Sequence, residues 1–218
     1  MRVDGVIFDL DGTLADSLPL VFAAYREAFS RCVGRSYTDA EIAAAFGPSE
    51  EGVCERLAPE QAAECLEAYL AFYRDEFARY CRPLPEVEAL LEWLRSRGLR
   101  LAVVTGKGPR STDLTLAALA LRPRLDAIRC GSPRGVEKAE AIAELAAEWR
   151  LPPHRIAYVG DGTADMLAAL TAGVVPLGAA WTSGSEAEAL RSAGAVAVLG
   201  APSELRGWLS GFGDVDHD

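Results

Sequence analysis

The sequence predicts an α/β fold: a doubly wound, Rossmann-like parallel sheet with an all-helical domain inserted after its first strand. Three observations carry this. Short apolar runs alternate with helical patterns of about 10–15 residues, as strand–helix–strand units of a parallel sheet do. Residues 17–82 contain helical patterns and no convincing strand. The 218 residues, half of them apolar and a quarter charged, suffice for one sizeable core with a modest insertion. The expected division is a core of residues 1–16 and 83–218 and a helical domain of residues 17–82.

The elements follow in order. Val3 to Leu10 (VDGVIFDL) is short and mostly apolar, and reads as a buried strand ending at Asp9-Leu10-Asp11-Gly12. Val21, Tyr25, Ala28, Phe29 and Cys32 then fall on one helical face, with Asp16 or Ser17 placed to cap it. Thr38-x-x-Glu41 is a capping box opening a second helix. Gly47-Pro48 breaks the chain, and Pro59 to about Tyr80 reads as one long helix. The character changes at Pro83. Pro85 suits the first residue of a helix whose buried stripe is Val87, Leu90, Leu91 and Leu94, closed by Gly98. A strand at Leu99 to Thr105 follows, then a helix and a short strand near Ala127 to Cys130. Next come a helix from Lys138 to Trp149, a strand at Ile156 to Val159, and a helix ending near Gly173. Strands at Val174 to Leu177 and Ala195 to Leu199 flank a helix that Ser185-x-x-Glu188 would cap. The Gly- and Asp-rich tail after Trp208 is expected to fray.

Composition narrows the function. A formal net charge of −10 disfavours nucleic acids and anionic membranes as partners. No run reaches the ~18 apolar residues of a membrane span, and the N-terminal MRVDGVIFDLDGT has no apolar run of signal-peptide length. Cys32, Cys54, Cys65, Cys81 and Cys130 are odd in number and form no CxxC pair, which fits reduced thiols in the cytoplasm. Among 22 basic residues only Lys107 and Lys138 are lysines.

In doubly wound sheets ligands bind beyond the carboxyl ends of the strands. Asp9 and Asp11 follow the first strand, and Thr105, Gly106 and Lys107 follow the second. Lys138 opens a later helix, and Asp161 and Asp165 follow the strand at Ile156. Three carboxylates gathered at one edge call for a cation among them, and oxygen ligands favour a hard one such as Mg²⁺. A threonine, a glycine amide and a lysine are donors suited to phosphate oxygens. A carboxylate can serve as the nucleophile toward phosphorus.

Asp9-Leu10-Asp11-Gly12-Thr13-Leu14 after an apolar strand resembles the first motif of the haloacid dehalogenase-like (HAD) hydrolases. Val103-Val104-Thr105-Gly106-Lys107 resembles the second, Lys138 the third, and Gly160-Asp161-Gly162-Thr163-Ala164-Asp165 the fourth. The helical insertion lies where the helical-cap subgroup carries its cap, and the closing segments resemble phosphoglycolate-phosphatase-like members. The resemblance spans essentially the whole chain. It implies Asp9 as nucleophile and metal ligand, and Asp11 as general acid and base with its carbonyl on the metal. It implies Thr105 and the Gly106 amide on phosphate oxygens, Lys138 between Asp9 and the phosphate, and Asp161 on Mg²⁺. Asp165 would support the metal directly or through water. Lys138 departs from many relatives in lacking a following proline.

Within that family Asp11 argues against dehalogenation, which does not keep a second aspartate. The absence of lysine from residues 17–82 argues against Schiff-base chemistry there, and the absence of a histidine just after the first motif argues against a phosphosugar mutase. A phosphatase acting on a small phosphorylated metabolite remains, with phosphoglycolate first by resemblance, then sugar phosphates and pyrophosphate. The other class is a non-catalytic phosphate- or metal-binding regulatory module, disfavoured because all four motifs are intact. A monomer or homodimer is expected.

Overall fold

The structure, a computed structural model, describes residues 2–81, 84–135, 137–182 and 184–211. Six strands form one parallel sheet: β1 (Gly5–Phe8), β2 (Arg100–Val104), β3 (Ala127–Arg129), β4 (Ile156–Gly160), β5 (Val175–Ala179) and β6 (Ala197–Leu199). Their order is β3-β2-β1-β4-β5-β6. Winding reverses between β1 and β4, which opens a crevice at the carboxyl ends of these two central strands.

Both sheet faces are covered, so the strands are apolar on both sides. Val6, Phe8, Leu101, Val103, Ala157, Val159 and Leu177 pack on one face. Ile7, Ala102, Val104, Ile156 and Tyr158 pack on the other, as the two-residue period of a strand requires. Helix α6 (Pro85–Ser96) buries the expected Val87, Leu90, Leu91 and Leu94 stripe against the first face. Helices α8 (Lys138–Trp149) and α9 (Thr163–Ala172) cover the second through Ile142, Leu145 and Ala169. Helices α7 (Pro109–Ala118), α10 (Ala187–Ser192) and α11 (Glu204–Ser210) complete this part among the described residues.

Between β1 and α6 the described chain holds helices only: α1 (Leu18–Val33), α2 (Asp39–Ala43), α3 (Glu50–Leu57), α4 (Ala62–Asp75) and α5 (Phe77–Tyr80). They bury a cluster of their own, with Tyr25, Phe29, Ile42, Val53, Tyr69 and Tyr73 at its centre. Val21, Tyr25, Ala28 and Phe29 are buried on α1, while Cys32 is half-buried. The capping box is formed: Glu41 N donates to Thr38 Oγ1 at 3.3 Å and Thr38 N to Glu41 Oε2 at 2.8 Å.

Several boundaries differ from expectation. The long helix over residues 59–80 is a 3₁₀ turn at Pro59–Gln61, then α4, then α5 after a break at Glu76. No glycine or proline marks that break. Ser185 does not cap α10: its hydroxyl pairs with Thr182 Oγ1 at 2.9 Å, and Glu186 takes the N-cap position. Ser17 sits at the N-cap of α1, but its hydroxyl bonds Asp11 instead. β5 begins one residue later than expected and runs on to Ala179, and β6 pairs only from Ala197. The expected boundary at Arg82-Pro83 and the tail from residue 212 lie outside the described residues. All five cysteines are free. Among the described residues no helix is long and apolar enough to cross a membrane.

Candidate active site

Each motif reaches the same sheet edge on a different element. Asp9 directly follows β1, and its amide extends the ladder to Val159 O at 2.9 Å. The chain then turns at Gly12, where φ is +77° and a Cβ would strike the Asp161 carboxylate, so only glycine fits. Thr105 and Gly106 follow β2, Lys138 is the first residue of α8, Asp161 follows β4, and Asp165 lies in the first turn of α9. Asp9, Asp11, Thr105, Gly106, Lys138, Asp161 and Asp165 all line one cavity of about 550 Å³. The helical segment closes its other side. A separate groove of about 450 Å³ between α4 and α7 contains none of these residues.

Lys138 joins two carboxylates. Its Nζ donates to Asp9 Oδ1 at 3.0 Å and to Asp165 Oδ1 at 2.6 Å. Asp165 is further held by the Tyr158 hydroxyl at 3.2 Å and by the Gly162 amide at 3.0 Å. Asp165 therefore caps α9 and anchors Lys138 at once. Burial pulls the Lys138 ammonium down, but Asp9, Tyr158 and Asp165 together hold it well above the ordinary lysine value.

A second charged group surrounds Asp11. Ser17 donates to Asp11 Oδ1, and Lys107 Nζ lies 3.2 Å from Asp11 Oδ2. The same ammonium is 3.5 Å from Glu50 Oε1 and 4.4 Å from the centre of the Tyr73 ring. Glu50 comes from α3 and is buried. It accepts from the Gly108 amide and the Ser111 hydroxyl, both at 2.5 Å, at the N-terminus of α7. The helical segment is thereby tied to the core beside the site.

The sequence motifs found the carboxylates, Thr105 and Lys138. They assigned no role to Lys107, although its being one of two lysines marked it. Glu50 falls in the Gly47-Pro48-Ser49-Glu50 loop, which resembles the cap loop that contacts substrate in the HAD-like family, but nothing in the sequence sets it apart there from Glu51. Tyr158 reads as an ordinary apolar-strand residue, and its hydroxyl contact becomes visible only once β4 and α9 are placed.

The anionic cluster fits a divalent cation. Oxygens of Asp9, Asp161 and Asp165 lie within 4.8 Å of one another. Burial raises Asp9 from 3.8 to about 7, more than the Lys138 ion pair lowers it. Burial, then Asp9 and Asp165, raise Asp161 to about 8. One ammonium thus leaves these carboxylates short of positive charge, and an all-oxygen donor set suits a hard ion such as Mg²⁺. Asp165 already has three donors, so Asp9 and Asp161 are the carboxylates free to take a metal.

The chain is similar to known proteins along most of its length. Residues 6–179 match the model of the haloacid dehalogenase-like hydrolases. The chain is 27% identical to the pyrophosphatase PpaX of Anoxybacillus flavithermus over 188 residues, covering 84% of this chain and 86% of that protein. It is 31% identical to a phosphoglycolate phosphatase of Neisseria meningitidis over 189 residues, covering 81% and 80%. The solved structure of a predicted phosphoglycolate phosphatase from Haemophilus somnus superposes with a TM-score of 0.81 at 20% identity, over 95% of this chain and 98% of that one, which shows the shared fold.

Proposed function

This chain belongs to the haloacid dehalogenase-like hydrolase family as a phosphatase, and we propose that it hydrolyses a small phosphomonoester through a phosphoryl group carried on Asp9, with Mg²⁺ as cofactor. The observation that supports this reading best is the convergence of Asp9, Asp11, Thr105, Lys138 and Asp161 on one cavity. The relatives named above act on phosphoglycolate and on pyrophosphate, both small enough for such a site.

The chemistry follows from the contacts. Lys138 engages Oδ1 of Asp9, and a carboxylate oxygen of Asp9 attacks phosphorus while the ester P–O bond breaks. Asp11, held by Ser17 and Lys107, delivers its proton to the departing oxygen. It then takes a proton from the water that attacks the phosphorus and frees Asp9. Thr105 and the Gly106 amide bind the equatorial oxygens, and Lys138 offsets their charge. Mg²⁺ held by Asp9 and Asp161, with Asp165 supporting, would add the remaining positive charge. The helical segment acts as a cap that keeps bulk water from the intermediate. Five free thiols and a net charge of −10 suit a cytoplasmic enzyme with neither nucleic acid nor membrane as partner.

Phosphate release from a panel of small esters tests this. Turnover should require Mg²⁺, stop in EDTA, and fall about a thousandfold or more in Asp9→Asn. Undiminished turnover in EDTA, or in the variant, would remove Mg²⁺ or Asp9 from the account.

A further inference from the structure

The side of the cavity that the helical segment forms has a chemical character of its own. Besides Gly47 and the ion-paired Glu50, its wall in the helical segment is Leu18, Val21 and Tyr25 of α1 with Phe46 and Pro48 of the loop between α2 and α3. The rings form a preassembled shelf. Phe46 stacks on Phe22 with centroids 5.6 Å apart and 22° between planes, and lies 6.3 Å from the Tyr25 ring. Phe46 is 38% exposed, one of few large apolar side chains so open among the described residues. An apolar surface left accessible on a cavity wall is a surface for a ligand to cover.

The charges point the same way. Among the described residues the cations lining this cavity are Lys107 and Lys138, and no arginine reaches it, although the chain has twenty. Lys138 is shared by Asp9 and Asp165, and Lys107 by Asp11 and Glu50. Among the described residues six carboxylates line the cavity against these two ammoniums. The phosphoryl group, with a divalent metal, uses what positive charge there is. A second anionic group on the leaving alcohol would face Asp11 and Glu50, where the one cation beside them among the described lining residues, Lys107, is already paired with both.

We infer that the leaving-group half of this site takes an uncharged alcohol with an apolar or aromatic face, and discriminates against esters whose leaving group is itself an anion. This rests on the phosphatase reading above and names its substrate class. Phe46 is then a specificity residue, touching the alcohol and not the phosphorus.

The test compares kcat/KM in Mg²⁺ for benzyl phosphate, 2-phosphoglycolate and pyrophosphate. Benzyl alcohol is an ordinary alkoxide leaving group, so any preference for its ester reflects binding and not an activated bond. The expected result is at least a tenfold preference for benzyl phosphate over either anionic substrate, expressed mainly in KM. In Phe46→Arg the ratio of benzyl phosphate to 2-phosphoglycolate should fall at least tenfold; Phe46→Ala should lower benzyl phosphate alone. The wild-type ranking decides the matter even if a variant does not fold. A wild-type preference below tenfold, or one for either anion, overturns the inference and leaves the phosphatase standing. No turnover of these three or of any ester in the wider panel overturns the small-phosphomonoester reading itself.

Discussion

Lys138 holds Asp9 and Asp165 at 3.0 and 2.6 Å from a largely buried position. Removing one partner of a buried pair leaves the other charge uncompensated, which costs about 3–5 kcal/mol. Lys138→Met should therefore lower metal-free stability by about that much in urea unfolding, with Mg²⁺ restoring part of the loss. An unchanged midpoint in EDTA would mean that the two carboxylates are balanced by something else. The carboxyls themselves carry a pH signature. Asp9 and Asp161 hold their protons more tightly folded, at about 7 and about 8, than unfolded, at 3.8. Their contribution to stability is complete below about pH 4 and is lost as pH rises through 7 and 8. Between pH 6 and 8 the thermal midpoint of the metal-free wild type should fall more steeply than that of Asp161→Asn. Mg²⁺ affinity should rise over the same interval, because the ion displaces those protons. Parallel slopes for the two proteins would contradict the assignment. These carboxylates were legible in the sequence because each sits one or two residues past an apolar strand. Tyr158 and Ser17 were not, because their hydroxyls matter only through neighbours 7 and 6 residues away whose positions depend on the turn between.

Glu50 joins two elements far apart in sequence, the N-terminus of α3 and that of α7. Its carboxylate receives the Gly108 amide and the Ser111 hydroxyl, where the helix dipole also favours negative charge. Glu50→Ala leaves the buried Gly108 amide without an acceptor, at about 1–3 kcal/mol, and leaves the Ser111 hydroxyl with Gly108 O at 3.2 Å alone. Glu50→Gln keeps an acceptor and should lose less. Urea unfolding of the two variants checks the order, and equal losses would mean that the charge near Lys107 outweighs the hydrogen bonds. At this scale the sequence reads well where one signal dominates. Leu90, Leu91 and Leu94 announce the buried stripe of α6, and Thr38 with Glu41 announces the start of α2. It reads poorly where packing decides. The helical pattern continues through Asp75-Glu76-Phe77, yet the helix breaks there, and Phe77 meets the Tyr73 ring edge-on at 5.9 Å. Ser185 has the right spacing for a cap but is taken by Thr182, a partner no local rule names.

For the whole molecule, strand order turns scattered motifs into a site. Asp9 follows β1, Thr105 follows β2 and Asp161 follows β4, and these three strands are neighbours because winding reverses between β1 and β4. The alternation of strands and helices made the parallel sheet legible, and the sheet rule then located the crevice. What alternation could not supply was the far wall of the cavity, since Tyr25 and Phe46 reach it only through the way the helical segment lies over the core. Catalysis by this site turns on Asp9 itself carrying the phosphoryl group between the two steps. The most direct measurement is an acid quench of the enzyme during turnover with Mg²⁺ and an ester it hydrolyses, followed by mass analysis of the peptide containing Asp9. The peptide should carry the added mass of one phosphoryl group in the wild type, and none in Asp9→Asn. Steady turnover with no label at any quench time, or a label on another residue, would contradict it.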